Sequence, residues 1–176
     1  MDHYPTDTLP FPIRPGDDVH FVVDLDDGPA IETYRVCAVG VNDQKRILVF
    51  CENEPNYDYE LGIEDRCFLT LEDARRFIED EGAFTLSYGT TYLWPEDMPF
   101  RPGEFCFTAD DEPGEKYHIF DVNIYSVVFR GDGTVIVSDD MSCESCVVGP
   151  HLDPCFLTFE EAHVWYYEHR KARHRR

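Results

Sequence analysis

Two stretches of the chain nearly repeat each other: residues 67–74 read CFLTLEDA, and residues 155–162 read CFLTFEEA. A second pair precedes them, FPIRPGD at 11–17 and FRPGE at 100–104. Thr70 and Thr158 are 88 residues apart, and Arg14 and Arg101 are 87 apart. Self-similarity at a fixed period constrains the architecture more than any local propensity does. The sequence therefore predicts one small unit used twice.

The repeated motif predicts the start of a helix in each copy. Thr70 and Thr158 are typical N-cap residues, and an acidic residue follows three positions later, as in a capping box. Apolar residues then recur at helical spacing, at positions 71, 74, 77 and 78 and at 159, 162, 165 and 166. Each helix should bury one face. Gly82 is expected to end the first helix.

Short strands are predicted before each helix. Apolar residues alternate with others from Val19 to Val23, as in a half-buried strand. The pattern Tyr34–Val41 resembles Tyr117–Ile124, and Gly131-Asp-Gly signals a hairpin in the second copy. Three or four strands are expected in each copy.

The predicted fold class is α+β, with two tandem repeats related by a pseudo-twofold axis. Each repeat is a small antiparallel β-sheet or half-barrel closed by a C-terminal α-helix. The predicted boundaries are 1–82 and 100–176, with an aromatic connecting segment, 83–99, lying across both units.

Composition favours a folded chain that stays out of membranes. At 176 residues, 43% hydrophobic and 14% aromatic, the chain can fill a packed interior. No apolar run approaches the roughly 18 residues that cross a bilayer, and the N-terminus lacks a secretory pattern. Seven cysteines, an odd number placed mostly in apolar runs, indicate buried thiols rather than a disulfide framework. A cytoplasmic location is expected.

The Arg-Pro-Gly-Asp entry, the Tyr-x-Val strand and the closing Phe-Leu-Thr-x-Glu-Glu-Ala helix resemble a group of small SH3-like β-barrel proteins. That group is encoded by bacterial phages and integrated elements of the gut. The resemblance covers both halves and implies a mobile-element setting inside a bacterial host cell. It assigns no functional residues.

The charge of the chain is strongly negative and unevenly placed. Fifteen Lys and Arg face 36 Asp and Glu, a net −21, yet five basic residues lie within 170–176. Residues 1–169 thus hold ten basic and 36 acidic side chains, a net −26. Duplex DNA would carry this charge over about 44 Å of its axis, close to the roughly 40 Å expected for the folded chain. The charge per length is similar to that of DNA.

Acidic residues gather in clusters that recur between the copies, and these are the predicted partner-binding residues. The first acidic cluster contains Asp24, Asp26 and Asp27, and its counterpart contains Asp110, Asp111, Glu112 and Glu115. The second acidic cluster contains Glu52, Glu54, Asp58 and Glu60, with Asp139, Asp140 and Glu144 as counterparts. Such surfaces attract basic partners electrostatically. The alternative interpretation is solubility alone.

A candidate zinc site lies in the second copy. Cys143, Cys146, His151 and Cys155 offer donors that zinc accepts, and Cys-x-x-Cys is a normal ligand spacing. A second knuckle is lacking, and Cys67 holds the position of Cys155 in the first copy without other donors around it. Plain thiols are therefore favoured over zinc or a redox pair.

No catalytic motif stands out, so neither an enzyme nor a cofactor is expected. The leading hypothesis is an acidic phage or mobile-element protein that inhibits a host nucleic-acid-binding defence nuclease by DNA mimicry, in the manner of anti-CRISPR or anti-restriction proteins. One alternative is a non-catalytic interaction module that uses the aromatic segment. The other is nucleic-acid binding through the basic tail, which the acidic body disfavours because it repels phosphates. The oligomeric state is left open.

Overall fold

The computed structural model describes residues 11–92, 100–109, 119–139, 145–148 and 154–173. The described residues form a mostly antiparallel β-sheet and two helices, in an α+β arrangement dominated by strands. The elements of the first half are β1 (Asp18–Leu25), β2 (Gly28–Asn42), β3 (Ile47–Cys51), β4 (Glu54–Glu60), β5 (Cys67–Phe68) and α1 (Leu71–Glu79). Those of the second half are β6 (Phe105–Ala109), β7 (Ile119–Arg130), β8 (Val135–Asp139), β9 (Ser145–Val148), β10 (Pro154–Phe156) and α2 (Phe159–Arg173).

Each half contains five described strands, more than the three or four predicted. In the first half β2 pairs with β1 and β3, β3 pairs with β4, and β1 pairs with β5. In the second half β7 pairs with β6 and β8, β8 pairs with β9, and β6 pairs with β10. The β9–β10 pairing is parallel, and it completes a cycle of pairings through the strands of the second half. The prediction missed the short strands because two or three residues carry no periodic pattern.

The two halves meet where β2 pairs with β7. The pairing is antiparallel and runs from Ala38, opposite Arg130, to Asn42, opposite Ser126. Gly40 lies at its centre, opposite Val128. The two longest strands of the structure therefore join the halves into one sheet.

The same hydrogen-bond register recurs on β2 and β7. Gly16 N donates to Val36 O at 2.8 Å, and Gly103 N donates to Ile124 O at 2.7 Å. The register with the following strand shifts just after each acceptor residue, between Val36 and Ala38 and between Ile124 and Ser126. Val36 and Ile124 thus occupy like positions, 88 residues apart.

The predicted match of Tyr34–Val41 to Tyr117–Ile124 is therefore out of register by five residues. The same spacing of apolar residues occurs twice in the second half, at 117, 119, 122 and 124 and again at 122, 124, 127 and 129. Hydrogen bonding selects the later set, which the apolar pattern alone could not distinguish.

The main hydrophobic core draws on both halves. Val39 and Val41 on β2 are buried in the same cluster as Val127 and Phe129 on β7. Tyr92, in the predicted connecting segment, is also buried there, and its ring stacks on Phe11 with centroids 4.5 Å apart. The ring of Phe11 also packs against that of Phe129, with centroids 5.7 Å apart. Tyr92 therefore packs on Phe11, which itself contacts the second half through Phe129.

Both predicted helix caps are confirmed. The amide of Asp73 donates to Thr70 Oγ1 at 3.1 Å. At α2 the amide of Glu161 donates to Thr158 Oγ1, and the amide of Thr158 donates to the Glu161 carboxylate, both at 3.2 Å. The second cap is thus a complete capping box.

The predicted end of the first helix at Gly82 is wrong. The helix ends at Glu79, and Asp80 is the C-cap, whose amide donates to Arg76 O at 3.1 Å. The amide of Ala83 then bonds to both the carbonyl and the carboxylate of Asp80. Since these groups close the turn, a left-handed glycine is not needed.

The buried faces of the helices agree in part with the prediction. Ala74 and Phe77 on α1 and Ala162 and Tyr166 on α2 are buried. The first apolar position of each stripe is instead exposed, as shown by Phe159, 48% exposed. Among the described helices, none has both the length and the apolar character that spanning a membrane requires.

Candidate functional site

The first acidic cluster lies at the turn between β1 and β2. Asp24 pairs with Pro29 near the end of the hairpin, and Asp26 and Asp27 occupy the turn itself. All three side chains are exposed. Arg66 Nη1 lies 2.8 Å from Asp24 Oδ2, so this arginine neutralises part of the cluster. Asp26 and Asp27 carry most of its negative charge to solvent.

The second acidic cluster surrounds the turn between β3 and β4. Glu52, Glu54 and Asp58 are exposed, whereas Glu60 is half-buried. The hydroxyl of Tyr59 donates to Glu54, and this hydrogen bond is the main reason that the pKa of Tyr59 is raised. The cluster is therefore partly fixed by a neighbouring aromatic side chain.

The structure adds Glu32 to this surface. The hydroxyl of Tyr34 donates to Glu32, which raises the pKa of Tyr34, and the charge of Glu54 contributes in the same direction. Phe21 contacts both tyrosines, with its ring centroid 5.8 Å from that of Tyr34 and 4.8 Å from that of Tyr59. An aromatic group thus holds two carboxylates close together. The i, i+2 spacing of Glu32 and Tyr34 on one strand face is the signal that could have predicted this contact.

A further acidic group forms where the halves meet. Tyr125 on β7 has a pKa raised first by burial and then by the charges of Asp58, Asp43 and Glu60 from the first half. Arg46 Nε lies 3.3 Å from Glu60 Oε2 and offsets part of this charge. Asp58 therefore belongs to two acidic neighbourhoods, one of which the sequence did not predict.

Of the acidic counterparts predicted in the second half, only Asp139 lies within the described residues. Asp139 ends β8, opposite Ile124. The other predicted residues lie outside the described residues, namely Asp110, Asp111, Glu112, Glu115, Asp140 and Glu144.

Only two of the four candidate zinc residues lie in the described part of the chain. Cys143 and His151 lie outside it, and Cys146 lies on β9 opposite Val137. Cys155 is buried on β10, opposite Thr108. No group of three or more His, Cys, Asp or Glu able to hold a metal occurs among the described residues.

The thiols that the structure describes are mostly core residues. Cys51, Cys67, Cys106 and Cys155 are buried, and Cys37 is half-buried. Burial raises the pKa of Cys51 to about 11, and it also raises the pKa of Cys67. These two side chains are protonated at neutral pH and pack as small apolar groups.

The structure also shows an apolar surface beside α2. Phe105 is 61% exposed and Val164 is 56% exposed. One groove lies between β6, β7 and the start of α2, and another lies along the side of α2 against Phe156. Exposed aromatic and aliphatic side chains of this kind mark interaction surfaces.

Comparison of the chain with protein-family models, curated proteins and solved structures found no match.

Proposed function

We propose that the protein is an acidic binding protein of a phage or mobile element that inhibits a host nucleic-acid-binding defence nuclease by DNA mimicry. The observation that carries this proposal is the exposure of the acidic clusters at turns and at the junction of the halves. The partner is a basic protein whose groove ordinarily binds nucleic acid, and the encounter takes place in the host cytoplasm.

Electrostatics supports this assignment. The net charge of −21 makes the protein repel nucleic acid and attract cationic grooves. Asp26, Asp27 and Glu52 project from turns, where a flat or concave partner can reach them. Carboxylates in such places stand in for phosphates because both present charged oxygens to Lys and Arg.

A tandem architecture is part of the same proposal. We propose that residues 1–82 and 100–176 are two copies of an SH3-like unit related by a pseudo-twofold axis, joined by residues 83–99. The axis would pass between Gly40 and Val128, residues with like positions in β2 and β7. The matched registers and caps support this axis. So does the parallel bridge between Leu61 and Cys67, because it joins the end of β4 to β5 as the parallel pairing joins β9 to β10. A twofold would present two acidic surfaces to one partner.

A second candidate function is a non-catalytic interaction module that works through apolar contacts. The exposed apolar side chains beside α2 favour it, since large aromatic side chains are frequent among the residues that dominate binding energy at interfaces. The two candidates differ in their response to salt and to charge removal.

Affinity capture tests the leading proposal. The protein, immobilised, is exposed to a host bacterial lysate at low ionic strength, and retained proteins are released with salt and then identified. We expect basic nucleic-acid-binding proteins, including a nuclease, to be released by salt and by duplex DNA. The purified nuclease should then lose DNA cleavage when the protein is added.

A charge-matched pair of variants provides the control. Asp26→Asn/Asp27→Asn/Glu52→Gln removes three charges from the acidic clusters, and Glu64→Gln/Glu72→Gln/Glu79→Gln removes three exposed charges elsewhere. Only the first variant should weaken inhibition. Equal inhibition by both variants, or retention of proteins that do not bind nucleic acid, would reject DNA mimicry.

A further inference from the structure

An open groove of about 440 Å³ runs along one side of α2. Its walls are formed by Phe156, Glu160, Glu161, Val164, Trp165 and Glu168. The volume lies within the range of about 300–1,000 Å³ typical of ligand sites. The groove combines an apolar floor with three carboxylates.

The same side of α1 is covered by residues 80–88, here called the strap. The ring of Phe84 packs edge-on against Phe68 at 5.5 Å and against Phe77 at 5.6 Å. The guanidinium of Arg76 lies over the Phe84 ring, 5.4 Å from its centroid. Phe84 is thus the aromatic anchor of the strap.

A polar contact fixes the other end of the strap. Ser87 Oγ donates to Asp73 Oδ2 at 2.9 Å, and Leu86 packs against the apolar cluster beneath α1. Asp73 is buried, with 2% of its surface exposed. The side of α1 therefore binds a segment without helix or strand structure through one aromatic ring and one hydroxyl three residues later.

Positions counted from the capping threonine relate the two helices. Phe156 and Trp165 lie where Phe68 and Phe77 lie, and the two ring pairs have similar separations, 5.9 Å and 5.2 Å. The α2 groove occupies the place where Phe84 lies on α1. The first half of the protein thus shows which kind of side chain the groove accepts.

The charges of the two sides differ in one respect. Arg76 supplies a cation over Phe84, and the corresponding residue of α2 is Val164. Glu161 and Glu168 correspond to Asp73 and Asp80, so the acidic positions persist without the arginine. An occupant of the α2 groove must bring its own cation to balance the carboxylates.

We propose that the α2 groove binds a short non-helical segment of a partner protein that carries an aromatic residue within two positions of an Arg or Lys. The aromatic ring lies against Phe156 and Trp165, as Phe84 lies against Phe68 and Phe77. The basic side chain pairs with Glu161 or Glu168. The proposal does not depend on DNA mimicry, because the groove shares no residue with the acidic clusters.

A fluorescent peptide tests the proposal on the full chain. The probe is Arg-Arg-Ala-Phe-Thr-Leu-Ser-Tyr, the strap sequence from residue 83 to 88 with two arginines added, and binding is followed by fluorescence anisotropy. We expect saturable binding that weakens about tenfold when the peptide phenylalanine is replaced by alanine. Replacing both arginines with glutamate should weaken it by at least about tenfold.

Two lysine substitutions on α2 separate the groove from the general charge of the helix. Val164→Lys supplies in the groove the cation that Arg76 supplies over Phe84, so the peptide should no longer need its own arginines, and replacing both with glutamate should weaken binding by less than about threefold. His163→Lys adds the same charge at an exposed position outside the groove and should leave the affinity within about twofold, as should Asp26→Asn/Asp27→Asn/Glu52→Gln. Circular dichroism checks that the variants are folded. Val164 is exposed, so a lysine at this position should not disturb the fold.

Several results would overturn the proposal. Absence of saturable binding would do so, as would the same loss of affinity on replacement of the peptide arginines in Val164→Lys and His163→Lys. Sedimentation equilibrium showing a dimer that Val164→Lys dissociates would assign the groove to a second copy instead. Binding that requires removal of residues 1–10 or 170–176 would assign it to a segment of the chain itself.

Discussion

Gly40 lies opposite Val128 at the centre of the β2–β7 pairing, and a Cβ on Gly40 would meet Val128 Cγ2 at 2.9 Å and Val127 O at 3.0 Å. The two strands approach closely here because residue 40 has no side chain. The junction between the halves therefore depends on Gly40. Its φ is not in the left-handed region, so glycine is needed here because there is no room for a side chain.

Gly40→Ala should destabilise the protein by about 1–3 kcal/mol, since overpacking a fitted interface forces backbone shifts. Urea denaturation followed by circular dichroism measures the change. Gly89→Ala is the matched control, because nothing lies within 4 Å of a Cβ there, and it should change the free energy of unfolding by less than about 1 kcal/mol. Val128→Ala should partly rescue Gly40→Ala, and absence of any coupling would contradict the packing argument.

Asp73→Ala should destabilise the protein by about 2–3 kcal/mol because the carboxylate is buried and fully engaged. It accepts from Thr70 Oγ1 at 2.8 Å and from Ser87 Oγ at 2.9 Å, and Arg76 Nη1 lies 3.2 Å from it. Glu161→Ala, at the same position of α2, is exposed and should cost only about 0.5–1 kcal/mol as a lost cap contact. Equal costs, measured by denaturant unfolding, would contradict a strap held by Asp73.

A double-mutant cycle isolates the contact between the strap and α1. Asp73→Ala and Ser87→Ala should show a coupling energy of about 0.5–3 kcal/mol, since both side chains belong to one hydrogen-bonded network. If the changes in free energy of unfolding caused by the two substitutions are additive, Ser87 does not hold the strap. The comparison of α1 with the α2 groove would then rest on the aromatic contacts alone.

Stability should fall between pH 10 and about 12, with Tyr88 contributing alongside the other groups whose pKa is raised, such as Tyr59 and Tyr125. Burial raises the pKa of Tyr88 to about 12, although the hydrogen bond donated by Leu69 N, 2.9 Å from the hydroxyl oxygen, acts in the opposite direction. The ordinary value is 10.0. In this window the unfolded chain loses the phenolic proton more readily than the folded protein does. The free energy of unfolding therefore decreases as pH rises.

Tyr88→Phe tests the contribution of Tyr88. The variant should be less stable than the wild type by about 1 kcal/mol at pH 8, because the amide of Leu69 loses its acceptor. Its free energy of unfolding should then decline less steeply above pH 10. Parallel pH profiles of variant and wild type would show that other groups cause the alkaline loss.

The parts of the structure that the sequence predicted are those governed by local chemistry. Thr158 and Glu161 form the predicted capping box because a cap needs only residues three apart. Gly82 misled because Asp80, a residue with its own acceptor groups, ended the helix first. The bulge after Val36 could not be predicted, since it appears only when a partner strand sets the register.

The candidate site was predictable to a similar degree. Asp26 and Asp27 lie in a turn, as runs of charged residues usually do. The alternating apolar pattern next to them is sufficient to predict that their side chains are exposed. Glu32 was missed because its importance depends on Tyr34 and Glu54 meeting across strands. The α2 groove was missed because apolar spacing predicts the same buried face for both helices, and only the strap makes them different.

Thiol accessibility provides the last prediction, and it also tests the zinc alternative. Cys51, Cys67, Cys106 and Cys155 are buried, so in the native protein at pH 8 these four should resist a thiol reagent such as dithionitrobenzoate. All seven cysteines should react in denaturant. If zinc bound Cys155, the native protein prepared with zinc would expose additional thiols on chelation, whereas core thiols are unaffected by a chelator. Rapid reaction of Cys67, identified by mass spectrometry of the labelled protein, would contradict its burial in the main hydrophobic core.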